Sequence, residues 1–590
     1  MPSIKILEKK GAKEILLGNE AIVRGALESG VQFVSTYPGT PASEIGNTFW
    51  KISNLKLSGS PKSAPRIWGR SQISNLNLYF EFSTNEKVAL EVAAGAAFSG
   101  QRALVAMKHF GLNVASDFLM PLVYSGVRGG LVIVVADDPG CSSSAQSEQD
   151  SRAYSYLAHI PTLTPATPQE CKDFVKFAFE ISEKYKIPVM IRTTTRVALQ
   201  TGPVKLGKIT RGQRKGKFVK DVNKFVTMPP RVLEMHEELL DKIEKIRKEV
   251  SEKSNINKIQ NSNAKSKTKI KTQNPKAGII ASGVSYLYAM EAVKELGLEI
   301  PVLKLGFFYP SPANKIKKFI KPLKKVLIVE ELEPYIEREV KRLAKDVNCK
   351  LEVIGKDLIP EVDELHPEIV LQAVAKLTNK NYQLPTANYK LKTINRSPQL
   401  CPGCPYWLVF SGIKTALKEM NLSEKDVVFG GEIGCYMLAG LPPHFLQDYL
   451  YCMGSDVGIA HGIKKASKNK QKIIAFVGDS SFFHAGIPAL INAVHNKSNP
   501  LIIIMDNGTT AMTGHQPHPG IARTGMGEKV PKIKIEDIVR ACGVKNLKVI
   551  DPGNQREFVN KIKEFLQKKE VSVIIAQRPC IFVKKGQQIK

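Results

Sequence analysis

The sequence predicts a multidomain α/β protein, and three observations carry that prediction. Short apolar runs of strand length, such as residues 131–136 and 473–477, are typical of strands buried on both faces of a parallel sheet. Stretches with helical patterning alternate with these runs, as they do in βαβ units. A chain of 590 residues is also long enough for three or four domains with substantial cores.

The composition predicts a cytoplasmic protein without a membrane or nucleic-acid partner. Hydrophobic residues make up 43% of the chain, and no apolar run approaches the ~18 residues of a membrane span. The first twenty residues lack the apolar core of a secretory signal. The net charge is +30, but no zinc-finger spacing, basic–aromatic alternation or helix-turn-helix signal accompanies it. The charge therefore indicates a solvated basic surface, or one that steers an acidic protein partner.

Changes in composition along the chain predict three α/β domains and one linker. Residues 1–204 form the first domain, and residues 205–276 form a basic linker with one helix from Val232 to Lys253. Residues 277–380 form a smaller α/β domain, and residues 395–590 form the last one.

Three segments of the first domain are predicted to lie outside regular structure. Residues 51–80 are rich in Ser and Asn and predict a surface insertion. Residues 37–41, Tyr-Pro-Gly-Thr-Pro, predict a turn whose free N–H groups and hydroxyls, including that of Thr40, face a strand end. Residues 108–117 follow a strand and predict a polar loop, which contains His109.

A strand–helix–strand unit near the carboxyl end places two polar residues at neighbouring strand tips. Asp479 follows one apolar strand and Asn507 follows the next, 28 positions (507 − 479) further on. In a right-handed βαβ unit these tips lie side by side, where open α/β sheets bind ligands. A carboxylate, an amide and the backbone carbonyl of Thr509 are hard oxygen ligands, which suit Mg²⁺ that holds phosphate oxygens. The alternative is an ordinary βαβ unit with an aspartate in its loop.

This pattern resembles the diphosphate-binding motif of thiamine diphosphate enzymes, a Gly-Asp-Gly about thirty residues before Asn-Asn. In this chain the two parts read Gly478-Asp479-Ser480 and Asp506-Asn507. Serine in place of the second glycine is compatible with a residue that turns the chain and donates to a phosphate. The resemblance implies that Mg²⁺ is held by Asp479, Asn507 and Thr509. It also implies that the cofactor is bound by Gly478, Asp479, Ser480, Asn507 and Thr509.

Thiamine chemistry also needs a carboxylate that hydrogen-bonds the aminopyrimidine ring, usually from a separate domain. Glu86 opens an alanine-rich helix over residues 87–99 of the first domain. Apolar surroundings would raise its proton affinity, as this role requires. The alternative is an acid that the helix dipole favours at a helix start.

Six stretches of the chain are distinctive when taken together. They are GNEAIVRGALESGV…YPGTPASE, NEKVALEVAAGAAFSG, IPVMIRTTTR, CPGCP, GCYML and GDSSFFHAGIPALINAV…DNGTTAMTGHQPHPG. The set resembles the alpha subunits of indolepyruvate type in the 2-oxoacid:ferredoxin oxidoreductase superfamily. The match covers most of the chain outside residues 51–80 and 205–275.

The resemblance implies a multidomain thiamine diphosphate-binding fold. Residues 1–204 would be the pyrimidine-binding domain, residues 277–380 a transketolase C-terminal-like domain and residues 395–590 the diphosphate-binding domain. Glu86 would activate the pyrimidine ring, and Thr40 and His109 would lie near the substrate and the cofactor. For the last two residues, a turn hydroxyl and a loop imidazole without a catalytic part remain the alternative.

Four of the nine cysteines fit the same superfamily. It holds a proximal [4Fe–4S] cluster with a CxxC pair, a third cysteine about thirty residues later and a distant fourth. The matching residues are Cys401, Cys404, Cys435 and Cys580. Thiolates suit iron–sulfur clusters, but a CxxC pair alone also fits zinc or a redox pair. Unligated thiols are the remaining alternative.

Two departures from the family pattern bear on substrate and electron transfer. The family typically reads Cys-Pro-Gly-Cys-Pro-His-Arg, whereas this chain has Tyr406-Trp407 in place of His-Arg. If the pair contacts the substrate carboxylate or coenzyme A, substrate choice would differ. The family's carboxyl-terminal ferredoxin-like module is also missing before Lys590. We therefore expect electrons to leave for soluble ferredoxin directly or through another subunit.

The sequence thus predicts the catalytic subunit of a 2-oxoacid:ferredoxin oxidoreductase for indolepyruvate and other aryl pyruvates. It would convert 2-oxo acid, coenzyme A and oxidised ferredoxin to acyl-CoA, CO₂ and reduced ferredoxin. A smaller beta subunit is expected because the superfamily's gamma-type domain is lacking, so the enzyme would be a hetero-oligomer. The rivals are a non-oxidative thiamine diphosphate-dependent decarboxylase, which needs no cluster, and a degenerate subunit that serves as a scaffold.

Overall fold

The computed structural model describes residues 4–57, 76–143, 145–260, 277–382, 398–468 and 471–583. Strands and helices alternate along the chain, which confirms the α/β class. The chain divides into two compact units, Met1–Glu81 with Glu86–Asn388, and Phe82–Asn85 with Tyr389–Lys590. None of the described helices is long and apolar enough to cross a lipid bilayer.

The amino-terminal sheet has seven strands, and its central strands run parallel. Across the sheet the strands are Phe307–Tyr309, Thr162–Leu163, Val189–Thr194, Leu131–Asp137, Ala103–Lys108, Phe33–Thr36 and Tyr79–Phe82. Every residue of the central strands Ala103–Lys108 and Leu131–Asp137 is buried, as their continuous apolar runs predict. A separate antiparallel pair joins Lys13–Leu17 to Thr201–Lys205.

Helices pack against this sheet and position the site residues at its strand ends. The main ones are Gly18–Glu28, Ser43–Leu57, Glu86–Phe98, His109–Ser125 and Pro168–Tyr185, and the shorter ones are Ala153–Leu157 and Thr195–Leu199. The loop predicted for residues 51–80 is wrong at both ends, because residues 51–57 complete the helix Ser43–Leu57 and residues 79–80 form the first half of the strand Tyr79–Phe82. Residues 58–75 lie outside the described residues.

The polar loop predicted for residues 108–117 is wrong. Strand Ala103–Lys108 ends with Lys108 in an extended conformation, and a helix begins immediately at His109 and continues to Ser125. The helix forms because Leu112, Ala115 and Leu119 recur at helical spacing and bury one face. His109 is therefore a helix-start residue at the carboxyl end of a central strand.

The middle sheet has five strands. Across the sheet they are Glu352–Ile354, Lys325–Val329, Ala277–Ser282, Val302–Leu305 and Lys258–Gln260, the last of them antiparallel. Its helices are Ser285–Glu295, Ala313–Ile320, Tyr335–Val347 and Pro367–Leu377. The edge strand Lys258–Gln260 comes from the segment predicted as a linker, so these three residues are ordered by pairing with Val302–Leu305.

The basic segment also carries the helix that the sequence predicted, with a shorter regular part. The helix covers Arg231–Ile246 and continues as one wide turn over Arg247–Ser251, whereas the prediction extended to Lys253. Met235, Leu239 and Ile243 are buried on one face, in agreement with the predicted apolar stripe. A short helix, Val222–Phe225, precedes it.

A buried ion network joins the amino-terminal sheet to the middle sheet. Arg152 binds Asp150 through Nη2 at 2.5 Å and Glu330 through Nη1 at 2.6 Å. Glu330 also accepts the backbone N–H groups of Ile336 and Glu337. The charge of Glu330 is thus compensated by Arg152 and by two backbone N–H groups, so this buried carboxylate at a strand end has a structural role.

The carboxyl-terminal sheet has five parallel strands. Across the sheet they are Val427–Phe429, Lys472–Gly478, Leu501–Asp506, Ser572–Gln577 and Asn546–Ile550. The helices on its faces are Tyr406–Glu419, Ser455–Ala466, Ile487–His495, Ile535–Ala541 and Gln555–Phe565. Short helical turns cover Glu424–Asp426, Cys435–Gly440, Asp479–Ser481 and Phe482–Gly486. The two strands of the predicted βαβ unit are neighbours, with Gly478 in register with Met505.

Candidate active site

The two predicted strand tips of the carboxyl-terminal sheet meet through a direct hydrogen bond. Asp479 starts a short helix right after strand Lys472–Gly478, and its Oδ2 accepts the backbone N–H of Gly508 at 2.9 Å. Gly508 directly follows Asn507, whose Oδ1 accepts the N–H of Thr509 at 3.0 Å. All three proposed oxygen ligands, from Asp479, Asn507 and Thr509, belong to buried residues at this one edge.

The electrostatics of these tips fit a bound cation. Burial raises the pKa of Asp506, and the negative charge of Asp479 raises it further. Two buried carboxylates at one sheet edge are costly without a positive charge, which a divalent cation would supply. Asp506 stands where thiamine enzymes have the first asparagine of Asn-Asn, so this chain presents an additional carboxylate. The oxygen donors therefore fit Mg²⁺.

His518 fixes the orientation of the Asp479 carboxylate. Its Nδ1 accepts the backbone N–H of Gly520 at 3.1 Å, so the proton of the neutral ring lies on Nε2. That Nε2 is 3.1 Å from Oδ2 of Asp479 and donates to it. Ser480 holds the other oxygen, since its N–H donates to Oδ1 of Asp479 at 2.8 Å. The carboxylate is thus held from both sides.

A buried carboxyl group supports the glycine of the same loop. Tyr436 donates its hydroxyl proton to Glu432 at 2.6 Å and accepts the N–H of Gly478 at 2.9 Å. Glu432 also accepts the backbone N–H of Gly454. Burial raises the pKa of Glu432 to about 8. An added Cβ at Gly478 would lie 2.8 Å from the Tyr436 ring, so this position requires glycine.

The four predicted cluster cysteines line one cavity of about 110 Å³, together with Asn507. The thiols are those of Cys401, Cys404, Cys435 and Cys580, and all four are free. The backbone N–H of Cys580 donates to the carbonyl of Asn507 at 2.9 Å, which ties the cavity to the strand tip. In the described part of the chain no group of three or more His, Cys, Asp or Glu side chains is arranged as a metal site.

The thiol chemistry of this cavity nevertheless fits an iron–sulfur cluster. Burial raises the pKa of Cys404 to about 11 and that of Cys435 to about 12, and the neighbouring cysteines add to both shifts. Buried thiols that repel one another as thiolates are stabilised by metal ions, which bind them with release of protons. With Cys401 and Cys580, four cysteines line one cavity, which is the number that a [4Fe–4S] cluster needs.

The predicted catalytic residues of the first domain lie at the carboxyl ends of its strands. Glu86 is the first residue of helix Glu86–Phe98, as predicted, and it is buried. Its side chain packs on Gly111, where an added Cβ would come within 2.7 Å of Oε1 of Glu86. Helix His109–Ser125 thus approaches the Glu86 carboxylate through a residue without a side chain.

Thr40 and His109 lie in different local settings. The carbonyl of Thr40 accepts the hydroxyl of Ser143 at 3.0 Å, and its own Oγ1 is 3.5 Å from that of Ser43. His109 is fully buried, and neither ring nitrogen makes a hydrogen bond of good geometry among the described residues, although the backbone of Ala136 lies close to the ring. Burial lowers the pKa of His109, so its ring is neutral at physiological pH.

Sequence reasoning did not single out three residues that contact this machinery, which are Lys108, Glu432 and His518. It noted Tyr406 as a departure from the family pattern but did not predict its contact with Asn507. His518 lies in the distinctive HQPHPG stretch. Glu432 and Lys108 carry no local signal, because their importance comes from burial beside residues far away in the chain.

Two family models match this chain. The model described as "Thiamine pyrophosphate enzyme, C-terminal TPP binding domain" matches residues 432–576, which include the strand tips at Asp479 and Asn507. The model described as "Pyruvate flavodoxin/ferredoxin oxidoreductase, thiamine diP-bdg" matches residues 24–198, which include Thr40, Glu86 and His109. The fold and these matches define a thiamine diphosphate-dependent oxidoreductase of the 2-oxoacid class.

Curated relatives narrow this class to one family. The indolepyruvate oxidoreductase subunit IorA of Methanothermobacter thermautotrophicus is 45% identical over 97% of this chain and 88% of its own length. The protein of the same name from Pyrococcus horikoshii is 42% identical over 99% of this chain and 88% of its own length. The chain belongs to the indolepyruvate oxidoreductase subunit IorA family. A solved 2-oxoglutarate:ferredoxin oxidoreductase from Magnetococcus marinus is 15% identical with a TM-score of 0.45, covering 62% of this chain and 65% of that one.

Proposed function

We propose that this chain is the catalytic subunit of an enzyme that oxidatively decarboxylates indolepyruvate and other aryl pyruvates. The products are acyl-CoA and CO₂, and the two electrons released pass to ferredoxin. The names of the relatives support the substrate class, and the description of the amino-terminal family model supports a ferredoxin or flavodoxin acceptor.

The observation that carries this proposal is the single cavity shared by four cysteines and Asn507. A non-oxidative decarboxylase returns the electron pair to carbon as a proton adds, so it has no use for an electron acceptor beside its cofactor. Here the N–H of Cys580 bonds the carbonyl of Asn507, and Asn507 is a proposed Mg²⁺ ligand. Cysteines that could ligate an electron-accepting cluster therefore adjoin the proposed diphosphate site, which favours an oxidoreductase over the decarboxylase.

Each residue has a defined part in this proposal. Thiamine diphosphate, when bound, supplies the nucleophilic carbon and the electron sink for decarboxylation. Gly478, Asp479, Ser480, Asn507 and Thr509 would hold Mg²⁺ and the diphosphate. Glu86 would hydrogen-bond the aminopyrimidine, and Thr40 and His109 would lie near the substrate. A [4Fe–4S] cluster on Cys401, Cys404, Cys435 and Cys580 would take the electrons one at a time.

The domain assignment and the partners follow from the same proposal. Residues 1–204 bind the pyrimidine, residues 205–276 link, residues 277–380 form the transketolase C-terminal-like domain, and residues 395–590 bind the diphosphate. A smaller beta subunit and coenzyme A complete the enzyme. The nine cysteines include none in a disulfide among the described residues, which supports a reducing compartment such as the cytoplasm.

The test is reconstitution under anaerobic conditions with the partner subunit. Reduction of methyl viologen is measured against a panel of 2-oxo acids, with coenzyme A present or absent. We expect aryl pyruvates to be the best substrates and coenzyme A to be required. Release of CO₂ with formation of aldehyde and no dye reduction would instead establish the decarboxylase.

A cysteine variant tests the cluster separately from the cofactor. Cys404→Ser is expected to lose the iron–sulfur absorbance band and dye reduction but to keep Mg²⁺-dependent thiamine diphosphate binding. Cys542→Ser is the matched control, because Cys542 is a partly buried thiol of the same unit that does not line the cavity. Unchanged iron content in Cys404→Ser would contradict the ligand assignment, and absence of thiamine binding in the parent protein would indicate a scaffold.

A further inference from the structure

A buried lysine stands beside the predicted catalytic residues of the first domain and has no role in the site as assigned. Lys108 is the last residue of strand Ala103–Lys108 and is only 9% exposed. Burial lowers its pKa, and the nearby Asp138 opposes that shift. An ammonium group at this depth is costly unless anions and hydrogen bonds compensate it.

The compensation that the protein provides is incomplete. Nζ of Lys108 donates to the carbonyl of Ser143 at 3.2 Å and lies 3.9 Å from Oδ2 of Asp138, beyond hydrogen-bonding distance. It also lies 5.3 Å from the centre of the Phe110 ring, a cation–π contact that accepts no proton in a regular hydrogen bond. The oxygens of Asp138 are already taken by Ser143 and by the hydroxyl of Thr195. An ammonium has three protons to donate, so Lys108 retains capacity for an anion.

The lysine lies against the substrate turn that the sequence predicted. An added Cβ on Gly39 would come within 2.9 Å of Cβ of Lys108, so the side chain passes directly over the glycine that precedes Thr40. Ser143 links the two elements, since it accepts from Lys108 through its carbonyl and donates its hydroxyl to the carbonyl of Thr40.

Two further features place the Lys108 ammonium near the predicted catalytic residues His109 and Glu86. His109, the next residue, is fully buried, and the backbone of Ala136 is the polar group that faces its ring. Gly111, two residues further, packs against the carboxylate of Glu86. One helix start therefore carries a cation, a buried imidazole and the contact to Glu86.

We propose that the ammonium of Lys108 binds the carboxylate of the 2-oxo acid, an assignment that rests on the proposed function. The carboxylate is the one anionic group that every 2-oxo acid shares, and it is lost as CO₂. Because Nζ of Lys108 lies 3.9 Å from Asp138 and makes no hydrogen bond to it, the ammonium can donate to the substrate carboxylate without first breaking a direct ion pair. The rival role for Lys108 is a structural partner of Asp138.

The experiment compares two ligands that differ only in charge, 3-phenylpropionate and 3-phenylpropionamide. Their affinities for the reconstituted holoenzyme are measured by calorimetry, alongside KM and kcat for phenylpyruvate. A charge-assisted hydrogen bond is worth about 1.5–3 kcal/mol. Lys108→Met should therefore weaken carboxylate binding and raise KM by about 10- to 150-fold. The amide affinity and the thiamine diphosphate affinity should stay within about twofold, and Lys108→Arg should recover most of the loss.

Lys172→Met is the matched control, because Lys172 is another buried lysine, 3.5 Å from Glu28 on the helix Pro168–Tyr185. It should leave the ratio of carboxylate to amide affinity unchanged. If Lys108→Met lowers the melting temperature but leaves the ratio of carboxylate to amide affinity unchanged, the proposal is wrong and Lys108 is a structural partner of Asp138. If Lys108→Met does not fold, the ratio is determined in Lys108→Gln with the same expected loss.

The failure of this proposal is distinguishable from failure of the proposed function. A wild-type enzyme that neither binds thiamine diphosphate nor oxidises any 2-oxo acid would refute the function. The affinity ratio and its dependence on Lys108 can still be measured in that protein, because neither inhibitor reacts.

Discussion

The side-chain amide of Asn507 donates to the phenolic hydroxyl of Tyr406 at 2.7 Å. Tyr406 begins the helix that follows the Cys-Pro-Gly-Cys-Pro segment, and its hydroxyl also lies 3.4 Å from the carbonyl of Met505. Because the amide nitrogen is held by the phenol, Oδ1 of Asn507 has a fixed direction. Tyr406, at the position where the family pattern has histidine, therefore couples the cysteine segment to the proposed Mg²⁺ ligand.

Tyr406→Phe should weaken Mg²⁺-dependent thiamine diphosphate binding by about 5- to 30-fold. The change leaves a buried amide without its acceptor, which costs about 1–2 kcal/mol. Calorimetric titration with the cofactor at saturating Mg²⁺ measures the effect, and the iron–sulfur absorbance should be retained. Tyr449→Phe is the control, since it removes another partly buried phenol that bonds Asp456 at 2.7 Å. Equal losses in both variants would show a general destabilisation.

Gly111→Ala should abolish most activity and lower the melting temperature slightly, because overpacking a buried side chain costs about 1–3 kcal/mol. An alanine Cβ would overlap the Glu86 side chain, with Cγ of Glu86 at 2.5 Å and Oε1 at 2.7 Å, and would displace the carboxylate. Alanine is otherwise the better helix former by about 1 kcal/mol. The measurements are kcat and the melting temperature of the reconstituted enzyme.

Gly95→Ala provides the matched control for that substitution. Gly95 lies on the helix Glu86–Phe98, and an added Cβ there meets nothing within 4 Å. It should raise the melting temperature slightly and leave kcat unchanged. Full activity in Gly111→Ala would refute the catalytic assignment of Glu86 or its dependence on this contact.

His518→Leu should weaken the apparent affinity for Mg²⁺ by about 5- to 30-fold. The variant removes the Nε2–H that donates to Asp479 across 3.1 Å, and this bond orients the carboxylate. Mg²⁺ titration at a fixed concentration of thiamine diphosphate measures the change. His461→Leu, on the helix Ser455–Ala466, serves as the control. Tighter Mg²⁺ binding in His518→Leu would instead show that the histidine competes with the metal.

Glu432 should make the protein less stable as the pH rises from about 4.5 to 8. Its folded pKa, about 8, exceeds the unfolded value of about 4.3, because the buried carboxylate is desolvated. In this window the folded state binds more protons than the unfolded state, so the free energy of unfolding falls with pH. One proton corresponds to a slope of at most about 1.4 kcal/mol per pH unit.

Glu432→Gln should flatten this slope. Urea unfolding at pH 5.5 and 7.5 measures the free energy of unfolding of the variant and of the wild type. The comparison is needed because burial also raises the pKa of Asp456, to about 7, and this residue contributes to the slope in both proteins. Glu570→Gln, at an exposed carboxylate, should keep the wild-type slope. A slope that is identical in Glu432→Gln and wild type would mean that Glu432 stays ionised in the folded state.

Several features of the fold could be predicted because they depend on local patterns. Continuous apolar runs identified the strands Leu131–Asp137 and Leu501–Asp506, and the alanine-rich run identified the helix at Glu86. The loop predicted at residues 108–117 was wrong because glycine and polar residues there are tolerated in a helix that packs closely on Glu86. Tertiary packing overrode local propensity at that position.

The sequence by itself determined the α/β class, the family and the residue types that this chemistry needs. These rest on patterns that can be read within short stretches of the chain, such as the apolar strand runs, the motif around Asp479 and Asn507, and the CxxC pair. Only the tertiary structure decided that Cys435 and Cys580 share one cavity with Cys401, Cys404 and Asn507. Only the tertiary structure shows that Tyr406 is hydrogen-bonded to Asn507, that His518 is hydrogen-bonded to Asp479 and that Lys108 packs against Gly39. These contacts join residues far apart in the chain, and burial, which gives them their energy, exists only after folding.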